Sequence, residues 1–107
     1  MIHMEDRHWK MVQDILAKYP YMFCAFGSRV QGNPRPLSDL DLCFFEDIPG
    51  NILSHIREDF EESRLPFEVD IVDWNACDSA FQSMIKKDLI LIQGDPELLL
   101  KLIEKSN

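Results

Sequence analysis

Three short apolar runs, Tyr21 to Phe26, Leu40 to Phe45 and Leu89 to Ile92, and one alternating stretch, Phe67 to Val72, punctuate the chain. Runs this brief, rich in aromatic and β-branched residues, predict buried strands. Stretches with helical spacing lie around them. Glu5 to Lys18 places Trp9, Val12, Ile15 and Leu16 on one face, and Pro20 ends it. Gly50 to Arg64 does the same with Ile52, Leu53, Ile56 and Phe60. Asn75 to Lys87 predicts a helix through Ala76, Ala80, Phe81, Met84 and Ile85. Asp95 then caps a last helix, with Pro96 in its first turn. A short helix is expected at Arg29 to Gly32, before a turn-rich loop at Asn33 to Pro36. Helices alternating with strands give an α/β (α+β) fold: a small mixed sheet of about four strands with helices packed on it. Residues 1–107 are expected to form a single domain.

Charge narrows the function. The chain carries 11 basic residues against 19 acidic ones, a formal net charge of −8. A protein that grips nucleic acid by its phosphates needs a basic face, so general nucleic-acid binding is not expected. No apolar run approaches the ~20 residues of a membrane-spanning helix. Met1 to Lys10 is polar and of mixed charge, unlike a signal peptide. The expected compartment is cytoplasmic. The cysteines, Cys24, Cys43 and Cys77, are odd in number and show no zinc-ligand spacing with His3, His8 or His55. Cys24 and Cys43 lie inside apolar runs and read as buried, reduced thiols. The acidic face of Glu58, Asp59, Glu61 and Glu62 reads as a solvated helix surface.

The chemistry concentrates in Gly27 to Leu42, GSRVQGNPRPLSDLDL. A strand ending at glycine and turning into a helix exposes first-turn amides that have no partner within the helix, a ready anion site. Ser28 adds a hydroxyl. Asp39 and Asp41, two apart on a predicted strand, project to one face with Cα atoms roughly 7 Å apart. Leu40 and Leu42 point the other way. Two carboxylates so placed repel each other, and Mg²⁺ or Mn²⁺ relieves the repulsion with hard oxygen ligands. In the alternating stretch, Glu68 and Asp70 share a face, opposite Val69 and Ile71. If the latter pack on helices, Asp70 is free to join the pair as metal ligand and general base.

These residues resemble the signature of the polymerase β-type nucleotidyltransferase superfamily, a GS dipeptide followed by a DxD. The resemblance is nearest to the minimal nucleotidyltransferases, which often read GSRARG, a short loop, then SDxDL. Gly27, Ser28, Arg29, Gly32, Ser38, Asp39, Asp41 and Leu42 match, as does the loop length; Gln31 stands where arginine is common. The segment MIKKDLILIQG, Met84 to Gly94, resembles the closing helix and strand of that family. The resemblance implies a Mg²⁺-dependent transfer of a nucleoside monophosphate, AMP from ATP, to a hydroxyl. Asp39, Asp41 and Asp70 would be the catalytic and metal-binding residues. Gly27, Ser28, Arg29 and Ser38 would bind the nucleotide phosphates. Arg35, Lys86 and Lys87 are further candidates for phosphate neutralisation, although an exposed loop and a solvated helix end explain them as well.

Within these 107 residues little is expected to be left with which to enclose an acceptor. The resemblance therefore implies a separate protein, a helical partner of the HEPN type in a toxin–antitoxin pair. Leu98 to Ile103 could serve that interface or pack on the chain's own sheet. Two alternatives compete: a non-catalytic nucleotide-binding antitoxin module, and a small-molecule, antibiotic-type nucleotidyltransferase completed by a partner.

Overall fold

The computed structural model describes residues 2–105. Helix α1 (Asp6–Leu16) leads into strand β1 (Phe23–Phe26), a one-turn helix α2 (Ser28–Gln31) and strand β2 (Leu40–Phe44). Helix α3 (Gly50–Glu61) carries the chain to β3 (Val69–Asp73). A 3-10 turn (Trp74–Ala76), α4 (Ser79–Lys86), β4 (Ile90–Gln93) and α5 (Pro96–Lys105) complete the order. The sheet runs β3-β2-β1-β4. β1 is antiparallel to both its neighbours, and β2 and β3 are parallel, so the sheet is mixed as expected. A parallel pair needs a crossover, and α3 provides it.

Helices cover both faces, which explains the unbroken apolar reading of β1. All four of its residues are buried. One face joins Val12 and Leu16 of α1 to Phe23, Ala25, Leu40, Leu42 and Ile71 of the sheet, and to Ile56 and Phe60 of α3. The other joins Cys24, Phe26 and Cys43 to Trp74, Ile85 of α4 and Leu99 of α5. Cys24 and Cys43 are directly opposite across β1 and β2. Both are buried free thiols, and Cys77 is free and half-buried. In α5, Leu99 is buried and Leu102 and Ile103 pack on this chain's own core, whereas Leu98 and Leu100 are exposed.

Two expected boundaries move, each because a side chain captures a backbone amide. The helix predicted over Asn75 to Lys87 is broken. Asp73 accepts the Asn75 amide and Cys77 is extended; Asp78 then accepts the Phe81 amide at 2.8 Å and starts α4 afresh. The first strand begins at Phe23 rather than Tyr21, and the Met22 amide is bound by the Glu46 carboxylate at 3.1 Å. The acidic face of α3 is also less idle than expected. Asp59 accepts a hydrogen bond from the Tyr19 hydroxyl and pairs with Lys18 Nζ at 2.9 Å, tying the end of α1 to α3. Gln93 Nε2 donates toward the carbonyls of Leu16, Tyr19 and Tyr21, all within 3.0 Å, and secures the same corner.

Candidate active site

Strand register brings the acidic residues together. Asp41 pairs with Asp70 across the parallel β2/β3 ladder and with Phe26 across β1/β2. Adjacent strands lie about 4.8 Å apart, and in register their side chains share a face. Leu40, Leu42 and Ile71 fill the α1/α3 core, so Asp41 and Asp70 project from the opposite face, the one packed by α4 and α5. Asp39 precedes the strand and is exposed, as is Asp70; Asp41 is half-buried.

Burial pushes the Asp41 carboxyl up to about 6, and the charges of Asp70 and then Asp39 push in the same direction. No ion pair among the described residues involves any of the three. An acid held half-buried beside two others without a cation suits a divalent ion in donor chemistry. Among the described residues no three such side chains form a ready ligand set. The exposed Asp39 and Asp70 side chains would have to turn toward Asp41.

The strand-to-helix turn lies against this carboxylate. Gly27 has φ +84° and ψ −159°, a conformation close to glycine-only. A Cβ built there would stand 2.3 Å from Asp41 Oδ2, far inside contact distance. Glycine is therefore required twice, by the backbone and by the neighbouring acid. Ser28 follows at the first position of α2. We expect Gly27→Ala to lower stability by about 1–3 kcal/mol from backbone strain and to displace the Asp41 carboxylate. Urea unfolding reads the first effect. Calorimetry with Mg²⁺-ATP reads the second as a loss of affinity, and unchanged values in both would contradict this packing.

Arg29, expected to bind a nucleotide phosphate, directs its guanidinium to backbone carbonyls in this structure. It is 4% exposed and donates three hydrogen bonds of 3.0 Å: Nε to the Ser38 carbonyl, Nη1 to that of His3 and Nη2 to that of Pro36. Its guanidinium carbon lies 4.0 Å from the centroid of Phe67, a ring of the α1/α3 core. Desolvation lowers its pKa. The guanidinium thus organises the loop that ends at Asp39, on the side of the sheet away from Asp41. Ser38 belongs to the same loop, and its Oγ accepts the Arg35 amide at 2.8 Å. Arg35 and Lys87 are exposed; Lys86, at the end of α4, is half-buried. Gln31 reaches Asp88 at 3.2 Å.

The glycine turn at the end of β1 thus lies against Asp41 of β2, with Asp39 just before that strand and Asp70 beside it on β3, the grouping that the sequence resemblance implied. Residues 10–97 match the family "Polymerase beta, Nucleotidyltransferase". The chain belongs to this family, and is a nucleotidyltransferase by fold and sequence. It is 40% identical over 75 residues to the probable protein adenylyltransferase MntA of Haemophilus influenzae, a match covering 68% of this chain and 66% of that protein. Solved structures share the fold at lower identity. A mutant of the MntA-HpeT toxin–antitoxin pair superposes with TM-score 0.72 at 16% identity, over 97% of this chain and 84% of its own. A toxin–antitoxin structure with AMP-PNP gives 0.73 at 16% identity, over 92% and 82%. A protein from Shewanella oneidensis gives 0.62 at 15%, over 94% and 81%.

Proposed function

We propose that this chain transfers AMP from ATP to a hydroxyl on a partner protein. The observation that carries the proposal is Asp41, half-buried between Asp70 and Asp39 and pressed against the Gly27 turn. Holding an acid there costs stability, and a site that binds metal and triphosphate accounts for the cost. The 40% identical relative, a probable protein adenylyltransferase, supports AMP as the group moved and protein as the acceptor. The toxin–antitoxin neighbours support an antitoxin role with a protein partner; that the partner is a helical HEPN-type protein is our reading from the sequence resemblance.

The roles follow from position. Gly27 and Ser28 offer the open amides of a helix start and a hydroxyl to the triphosphate. Asp39, Asp41 and Asp70 would hold Mg²⁺ or Mn²⁺, which neutralises phosphate charge and supplies electrophilic assistance at the reacting phosphoryl group. Asp70, exposed on the edge strand, would orient the accepting hydroxyl and take its proton. In the overall transfer, the acceptor oxygen bonds to the α-phosphorus, and the bond from that phosphorus to the bridging oxygen breaks, releasing pyrophosphate. Among the described residues no helix is long and apolar enough to cross a membrane. We place the reaction in the cytoplasm, within one domain spanning residues 1–107.

Two measurements test the proposal. ATP should bind at least about tenfold more tightly with Mg²⁺ than in EDTA, because metal and phosphates complete each other's charge and ligand shell. Equal affinity in EDTA would count against the site. Incubation of the co-expressed partner with ATP and Mg²⁺ should add one or more AMP units to its intact mass. Transfer to a free antibiotic by the isolated chain, with none to protein, would overturn the choice of acceptor.

A further inference from the structure

Four of the chain's five arginines line one groove on the side of the molecule away from Asp41. Arg7 comes from α1, Arg29 from α2, Arg35 from the loop before β2, and Arg64 from the segment after α3. The groove encloses about 800 Å³, within the usual range of ligand sites. Glu5 is the one carboxylate among the described residues that line it. It is shared between Arg7 at 3.5 Å and His8 at 3.6 Å. Arg35 and Arg64 make no ion pair among the described residues. A chain of net charge −8 has thus collected most of its guanidinium groups around one hollow.

Between these charges the lining is apolar: Met4, Met11, Pro36, Leu37 and Phe67. Leu37 is 69% exposed and is the most exposed of the large apolar side chains in the described chain. Arg29 is buried and spent on backbone carbonyls, so the exposed guanidinium groups are those of Arg7, Arg35 and Arg64; drawn from three separate segments with methionine, proline and leucine between them, they suit several spaced acids alternating with apolar side chains. A single-stranded nucleic acid would need open aromatic faces on which to stack its bases, whereas Phe67 in this groove is buried and covered by Arg29.

We propose that the groove binds an acidic, leucine-containing segment of the protein that carries the accepting hydroxyl. This rests on the adenylyl-transfer reading and adds a docking site outside the reacting centre. The link to that centre is covalent and short. The loop bearing Arg35, Pro36 and Leu37 forms one wall, is held by Arg29 through the Pro36 and Ser38 carbonyls, and continues directly into Asp39. A segment seated on that wall keeps the rest of its protein beside the acidic residues, which raises the effective concentration of the hydroxyl.

Fluorescence anisotropy on the full chain tests the groove, using a short fluorescein-labelled peptide of alternating glutamate and leucine. A lysine–leucine peptide and an oligouridylate serve as comparisons. The glutamate–leucine peptide should bind, weaken with salt, and lose at least about tenfold in affinity in the Arg7→Glu/Arg64→Glu double variant. That variant should bind Mg²⁺-ATP unchanged, which shows that it is folded. Asp41→Asn should hold the peptide like the unaltered chain. Equal peptide binding by the double variant overturns the proposal, as does displacement of the peptide by a tighter-binding oligouridylate. Failure of the unaltered chain to bind ATP with Mg²⁺, with peptide binding intact, would instead sink the adenylyl-transfer reading and leave the groove standing.

Discussion

Asp41→Asn is expected to lower nucleotide transfer by about 10²–10³-fold or more and, in the same protein, to stabilise the metal-free fold at neutral pH. The two effects share one cause. Asp41 sits where burial, Asp70 and Asp39 all disfavour its charge, and its pKa rises to about 6. An unfolded aspartate titrates near 3.9. The shift corresponds to about 3 kcal/mol against folding at pH 7, reduced to about 1–2 kcal/mol because the group is partly solvated. The sign sets the pH window. A folded-state pKa above the unfolded one costs nothing below about pH 4, where both states are protonated. The cost grows as pH rises and is complete once pH passes about 6. Asparagine removes it. Urea unfolding in EDTA should show the variant more stable at pH 7.5, with the gain nearly gone at pH 4. A variant less stable than the parent at both pH values would show that the carboxylate is structural.

Arg29→Ala should produce the largest loss of stability, about 3–5 kcal/mol, a sizeable share of what a small domain possesses. Three carbonyls lose their donor, a buried side chain leaves a void, and Phe67 loses its stacked partner. The N-terminal segment would loosen as well, since the His3 amide also binds the Arg29 carbonyl at 2.7 Å. Arg29→Lys should fall between, because an ammonium keeps the charge but cannot span three acceptors in a plane. Thermal unfolding with and without Mg²⁺-ATP separates the alternatives. A phosphate ligand would lose nucleotide affinity at little cost in melting temperature. A loop organiser lowers the melting temperature first, by more than about 10 °C for a loss of this size.

The alternation of apolar runs and helical spacing was enough to place five helices and four strands in order, because a short apolar run bounded by turn residues marks a buried strand whereas a one-faced helix keeps a 3.6-residue spacing. The boundaries were less legible where a polar side chain took over a backbone amide. Asp78 and Glu46 each do so, and such a capture depends on where the chain has already been placed. Asp39, Asp41 and Gly27 are close in sequence, and their spacing with Ser28 was readable as a motif. Asp70 could be ranked with them from its alternation with Val69 and Ile71, but only the parallel register sets it beside Asp41.

Arg29 shows what sequence could not decide. Within the motif it reads as a cation next to a phosphate turn. A helix of one turn can send its side chain to either side of the sheet, and the carbonyls that receive it come from His3, Pro36 and Ser38, which only folding brings together. The groove is of the same kind: Arg7, Arg35 and Arg64 share no period, and their common surface exists only once α1, the loop before β2 and the end of α3 are packed. Local spacing therefore determined the order of elements and the core of the acidic site, since both depend on neighbours along the chain. Tertiary structure decided which charges face a ligand and which hold the fold, since that depends on burial and on partners distant in sequence.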